Sequence, residues 1–276
     1  MRISLIPTAD DIGREILTNK SAVMFDILRA SSTVSTALAN GCKEVIPVVE
    51  VADAFALAKA LPENTFLLGG ERGAVKVPGF HLGNSPLEYD AGTVKDKTVI
   101  LTTTNGTRAA RRAAEGSGRV FIGSLLNAAA VAKMLLQMDR DVVLVCAGTR
   151  GKFSLEDTLA AGLVTGELLK LRQPKGLSPA AKNLRVPDEG EVYPDEVPRV
   201  SGHDLVLEDA AVAALRLAEF YGDSPLKALY DSLHGQKLAQ LGLAADLAYC
   251  AQTNLFDVVP VFWEGKIRIE KLSKIR

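Results

Sequence analysis

The chain has 276 residues, 47% hydrophobic but only 5% aromatic, with a mean hydropathy of +0.14, so an aliphatic core for one large or two modest domains is expected. Its 32 basic residues balance 33 acidic ones, which excludes the electrostatic footprint of a nucleic-acid binder. No apolar stretch reaches the ~18 residues of a membrane span, residues 1–10 lack a signal segment, and scattered Cys42, Cys146 and Cys250 exclude a disulfide framework, so a soluble cytoplasmic protein is expected.

Residues 2–6 and 23–28 predict short strands, the second almost continuously apolar, as in a sheet covered on both faces. Ser31, Ser32 and Thr33 then offer N-capping side chains for a helix that stops at Asn40 and Gly41. A strand at 44–49, a helix at 51–61 ending before Pro62, and a strand at 65–68 follow. Residues 69–92 break into Gly, Pro and polar residues, a loop length that usually serves binding. Alternation resumes with strand 98–103, helix 107–115, strand 119–123, helix 127–138, strand 141–147 and helix 155–171. Residues 173–198 carry five prolines and predict a surface excursion. Residues 205–221 and 225–233 predict helices, and 258–263 with 266–272 predict an antiparallel hairpin closing one edge of the sheet. The expected fold is therefore α/β, a three-layer α/β/α unit with a mostly parallel sheet, a C-terminal helical region and a terminal antiparallel hairpin. The whole chain, 1–276, reads as one catalytic unit, with 207–276 open to a reading as a C-terminal subdomain. An exposed Ala/Leu-rich helix leaves room for a homodimer.

The polar residues gather where the apolar runs end. If those runs are parallel strands of one sheet, five junctions share its carboxyl edge, where open α/β sheets bind ligands. Asp26 lies in an apolar run, and a lone carboxylate there needs a partner, a hydrogen bond or a metal. One reading pairs it with Arg29; the other places it on Mg²⁺ or in a nucleophilic role, with Arg29 reaching an anion. Glu71 and Arg72 repeat this acid–base adjacency between glycines, either as an ordinary turn or as a hard oxygen ligand beside an anion-binding nest. Residues 102–107, including Thr104 and Asn105, lead into a helix carrying Arg108, Arg111 and Arg112, where a phosphate or sulfonate can sit on free N–H groups. That segment fits neither nucleotide-binding glycine pattern. Ser154 with Asp157 resembles a capping box, a role as well supported for Asp157 as a catalytic one. Arg150 and Lys152 just before it can bind anions or simply face solvent. No zinc spacing surrounds His81, His203 or His234, and the last two read as surface residues. Ser85 lacks the nucleophile-elbow pattern of a serine hydrolase.

Five ordered blocks together resemble the 2-phosphosulfolactate phosphatase family, also called ComB. They are Asp26-Ile27-Leu28-Arg29-Ala30-Ser31-Ser32-Thr33; Gly70-Glu71-Arg72-Gly73; Gly79-Phe80-His81-Leu82-Gly83-Asn84-Ser85-Pro86; Thr102-Thr103-Thr104-Asn105-Gly106-Thr107; and Cys146-Ala147-Gly148 with Ser154-Leu155-Glu156-Asp157. The chain departs from the family pattern at His81, where an Asp is common. The resemblance implies Mg²⁺-dependent hydrolysis of 2-phospho-3-sulfolactate to sulfolactate and phosphate, a step of coenzyme M biosynthesis in the family's archaeal context. On this reading Asp26 and Glu71 hold Mg²⁺, and Asp157 is a third ligand or a general base. Arg29, Arg72, Asn105, Ser31, Ser32 and Thr104 would hold the phosphate, sulfonate and carboxylate of a small acid. A small-anion binding or regulatory module without turnover, and a Mg²⁺-dependent lyase, are the competing expectations.

Overall fold

The computed structural model describes residues 1–172 and 205–269. The expected surface excursion at 173–198, His203 and the last residues of the second hairpin strand lie outside that range. In chain order the elements are β1 (Arg2–Ile6), β2 (Ser21–Phe25), α1 (Ala30–Ala39), β3 (Glu44–Pro47), α2 (Val51–Lys59), β4 (Phe66–Arg72), β5 (Val75–Lys76) and α3 (Ala91–Val94). Then come β6 (Thr98–Thr102), α4 (Gly106–Ser117), β7 (Val120–Gly123), α5 (Ala128–Met138), β8 (Val142–Cys146) and α6 (Leu155–Arg172). The C-terminal part holds β9 (Val206–Leu207), α7 (Asp209–Tyr221), α8 (Pro225–Asp231), α9 (Leu233–Gln240), α10 (Ala244–Cys250), β10 (Pro260–Trp263) and β11 (Lys266–Ile269). Among the described residues no helix is long and apolar enough to cross a membrane.

The strands form one mixed sheet in the order β5-β4-β6-β3-β11-β10-β7-β2-β8-β1-β9. The hairpin β10–β11 therefore sits in the middle of the sheet and not at its edge, which corrects the expectation from its turn. Its turn encodes only the local pairing; both outer faces of the hairpin still had free N–H and C=O groups, and β7 and β3 take them up. Glu44 secures this insertion, its buried carboxylate receiving Lys266 Nζ at 3.1 Å and the Arg268 guanidinium.

Strands β4, β6 and β3 are mutually parallel, as are β7, β2, β8, β1 and β9. The three antiparallel pairings through the hairpin set these two halves in opposite directions. A flat sheet would put their carboxyl ends on opposite edges. Six inter-strand steps separate β4 from β2, and at roughly 20–25° of twist per step they accumulate about 120–150°, which nearly undoes the reversal. One apolar cluster spans both halves. It joins Val45, Val99 and Leu101 of one half to Met24, Ile122 and Val145 of the other through Val34 and Leu38 of α1 and Ala109 and Ala113 of α4. Helices α5, α6 and α7 cover the opposite face of the second half through Val131, Val164 and Ala211, and α2 covers that of the first through Ala54.

Further boundaries differ from expectation: β4 runs on to Arg72, and the helix expected at 225–233 is split between α8 and α9. Strand β2 stops at Phe25, so Asp26 begins a turn and does not lie within the strand. Residues 206–207, expected to open a helix, pair in parallel with Arg2 and Ile3 and extend the sheet as β9.

Candidate active site

The turn from β2 into α1 is built by its own hydroxyls. Ser31 Oγ accepts the Asp26 N–H at 3.1 Å and donates to the Asp26 carbonyl at 2.8 Å. Ser32 Oγ donates to the Ile27 carbonyl, and Thr33 Oγ1 to the Asn84 carbonyl in the loop beyond β5, both at 2.9 Å. Ser31, Ser32 and Thr33 thus lie inside the first turn of α1 and do not cap it; Arg29 occupies the cap position. Their hydroxyls are buried and committed to backbone groups that shape the turn.

Four carboxyl side chains gather at this turn, all of them buried. Asp26 Oδ1 meets the Ala30 N–H at a long 3.4 Å. Its Oδ2 lies against Gly106, where an added Cβ would stand 2.8 Å from that oxygen. Asp157 accepts the Ile27 N–H at 2.8 Å and the Gly148 N–H at 3.1 Å, tying the ends of β2 and β8 to the start of α6. Only half of the expected capping box forms, since Ser154 Oγ accepts the Asp157 N–H at 3.3 Å while the Asp157 carboxylate serves those two other loops. Glu71 arrives from the other half of the sheet, at the end of β4. It accepts the Ala74 N–H at 2.7 Å and both the N–H and hydroxyl of Thr104, at 2.9 and 2.8 Å. Glu156 stands next to Asp157 and faces His234 Nδ1 at 3.6 Å.

Helices α1, α4 and α6 all begin at this cluster, and their free N–H groups and dipoles favour negative charge there. Burial nevertheless pushes the Asp26 carboxyl up to about 6; Glu71 and Glu156 add to the rise, and His234 and the Ala30 N–H oppose it. Burial, then Glu156 and Asp26, raise Asp157 well above the usual carboxylate range. Glu71 moves the other way. Burial raises it, but the bonds from Ala74 and Thr104, with the charge of Arg29, hold it below its ordinary value.

The Asp26–Arg29 pair, one of the two readings of these residues, does not form. Arg29 Nη1 reaches Asp246 Oδ2 of α10 at 2.6 Å, and its Nη2 donates to the Ala74 carbonyl at 3.1 Å. Ser85 Oγ donates to the other Asp246 oxygen at 2.6 Å. Arg72 braces its surroundings through the Glu71 and Val49 carbonyls and Thr102 Oγ1. Thr104 is exposed, and Asn105 is half-buried at the N-cap of α4 without a side-chain cap bond. Arg150 and Lys152 lie on the Thr149–Lys152 turn after β8. His81 Nδ1 accepts the Leu68 N–H at 2.9 Å, a structural role. Asp246 was missed from the sequence, where its signal was a lone carboxylate among Ala, Leu and Cys of a helical run; Ser85 and Glu156 stand in the quoted blocks without a site role, and His234 was read as a surface residue.

Among the described residues no group of three or more His, Cys, Asp or Glu forms a ready-made metal cage. Mg²⁺ needs none, because one or two carboxylates completed by water and phosphate oxygens suffice. Asp26, with lone pairs beyond its long N–H contact, and Glu71 from the facing half fit that donor class. Both oxygens of Glu71, like both of Asp157, already accept backbone N–H groups, so Asp26 keeps the freest lone pairs of the three.

The model of the 2-phosphosulpholactate phosphatase family matches residues 6–265. A protein of Symbiobacterium thermophilum, named a probable 2-phosphosulfolactate phosphatase, is 42% identical over 264 residues, covering 95% of this chain and 97% of its own. Proteins with the same name from Caldanaerobacter subterraneus subsp. tengcongensis and Clostridium beijerinckii are 39% and 37% identical, each over 270 residues. They cover 97% and 98% of this chain and 98% and 100% of their own lengths.

Proposed function

The chain belongs to the 2-phosphosulfolactate phosphatase family, and from that premise we propose that it hydrolyses the phosphate monoester of 2-phospho-3-sulfolactate to sulfolactate and inorganic phosphate. The observation that carries this reading is the gathering of Asp26, Glu71, Glu156 and Asp157, all buried, where three helices begin. Helix N-termini suit a phosphoryl group, but carboxylates repel one unless a cation intervenes. Bound at Asp26 and Glu71, Mg²⁺ would neutralise phosphoryl charge and orient the ester.

In this scheme the residues divide their work. Free N–H groups at the start of α4 take phosphoryl oxygens, with Asn105 and Thr104 at the rim. Asp157 fixes the turn that carries Asp26. Arg29, set by Asp246 and Ser85, contributes positive charge beside Glu71, and Arg72 stiffens the end of β4. Three free, buried thiols suit a reducing, cytoplasmic setting.

Phosphate release from a panel of phosphorylated hydroxy acids in the presence of Mg²⁺ tests the proposal. The expected result is turnover, with higher kcat/KM for the sulfonated ester than for analogues lacking the sulfonate. If no ester releases phosphate while such anions still raise the melting temperature, the chain is a binding module. Carbon–carbon or carbon–oxygen cleavage without phosphate loss would make it a lyase.

A further inference from the structure

His234, read from the sequence as a surface residue, is held at the acidic cluster by the local design of α9. Ser232 Oγ caps the helix by accepting the Gly235 N–H at 2.9 Å. Gly235 lets α9 press against α8, since a Cβ there would lie 1.7 Å from the Leu229 carbonyl oxygen. The imidazole between these two residues turns Nδ1 toward Glu156 at 3.6 Å, with 21% of its side chain exposed against 3% for Glu156. Glu156 adjoins Asp157, which is bonded to Ile27 next to Asp26. The charged side chains of this neighbourhood are Glu156 and Asp157 of α6, Asp26 of the β2 turn, Glu71 of β4, and the Arg29–Asp246 pair. Of the neighbouring side chains, His234 is the one whose charge, when protonated, opposes the rise at Asp26.

We propose that His234, positioned by Glu156, is the acid that protonates the departing ester oxygen. The inference rests on the phosphatase reading and adds to it a residue for the leaving group. An α-hydroxy acid leaves as a basic alkoxide, so its departure needs a proton. The arginines of the site do not give one up, and Arg29 and Arg72 are already committed. The step balances. The ester P–O bond breaks, its electron pair stays on the hydroxy-acid oxygen, and that oxygen takes the proton from Nε2 while Nδ1 faces Glu156. A water oxygen forms the new P–O bond and carries its protons into dihydrogen phosphate, which returns one to His234 through solvent.

A brace between α6 and α9 would lower all activities alike, whereas a proton donor matters in proportion to the basicity of the leaving group. The test compares wild type, His234→Asn and Glu156→Gln on the alkyl ester 2-phospho-3-sulfolactate and on the aryl ester 4-nitrophenyl phosphate. His234→Asn is expected to lower kcat by about 100-fold or more on the alkyl ester and by less than about tenfold on the aryl ester. Glu156→Gln is expected to show the same split, more weakly. The ratio of the two rates does not depend on the folded fraction, so partial misfolding leaves the test valid. Equal losses on both esters overturn the inference and leave the phosphatase reading intact. A wild type that releases phosphate from neither ester overturns that reading, and this inference with it.

Discussion

Arg29 and Asp246, 217 positions apart, meet as a buried ion pair, with 2.6 Å between Nη1 and Oδ2 and side chains only 4% and 3% exposed. The pair ties the first turn of α1 to α10 and makes the C-terminal helices part of the site. Removing one member strands the other as a buried charge, which costs about 3–5 kcal/mol. Arg29→Ala is therefore expected to lose folding stability as well as ester handling. A double-mutant cycle by urea denaturation with Asp246→Ala should show coupling of at least about 2 kcal/mol, and additivity within about 0.5 kcal/mol would contradict the pair's importance.

Asp26 makes the fold less stable where the proposed chemistry needs it. Its folded carboxyl titrates at about 6, above the unfolded value, so the metal-free folded state holds the proton longer and stability falls as pH rises through roughly 4 to 6. Asp26→Asn removes that cost. It should stabilise metal-free protein on the order of 3 kcal/mol at pH 7.5 and by almost nothing near pH 3.5, read as the difference in thermal midpoints from wild type. An unchanged or lower midpoint at pH 7.5 would contradict the burial argument.

Glu44 behaves in the opposite sense. Burial raises its carboxyl, but Arg268 and Lys266 outweigh that and hold it below the ordinary range. The stability it contributes is present above the unfolded glutamate value and is lost as pH falls through the folded one. Glu44→Gln is expected to cost about 2 kcal/mol at pH 7, less below pH 4, and to speed hydrogen exchange at the β10 and β11 amides. Unaltered exchange in the hairpin would argue that its backbone pairing alone keeps it in the sheet.

Gly106 lets α4 approach the β2 turn. A Cβ there would stand 2.7 Å from the Ala30 Cβ and 2.8 Å from Asp26 Oδ2. Gly106→Ala should lower phosphate release by about tenfold or more while costing about 1–3 kcal/mol of stability. Full activity in that variant would mean that the position of Asp26 is not critical.

The alternation of strands and helices was legible because strands such as Ser21–Phe25 and Val142–Cys146 are buried on both faces and hence continuously apolar. Three of the charged residues at the junctions were legible for a related reason: Asp26, Arg29 and Glu71 interrupt or end apolar runs, whereas Asp157 was marked by its spacing from Ser154. Non-local pairing was not. Nothing in residues 260–269 says that both edges of the hairpin will be occupied, and nothing near Arg29 says that its partner lies in α10. His234 was hidden because its approach to Glu156 joins two elements far apart in the chain, which leaves no mark on local periodicity.

In the proposed reaction Asp26 serves one divalent cation beside a phosphate ester. The decisive measurement is inorganic phosphate released from 2-phospho-3-sulfolactate by metal-free protein, before and after Mg²⁺ is added. Wild type is expected to be silent until Mg²⁺ is supplied, and Asp26→Asn, though folded, to stay lower on the order of 100-fold or more at saturating Mg²⁺. Equal release with and without Mg²⁺, or an Asp26→Asn variant as fast as wild type, would contradict it.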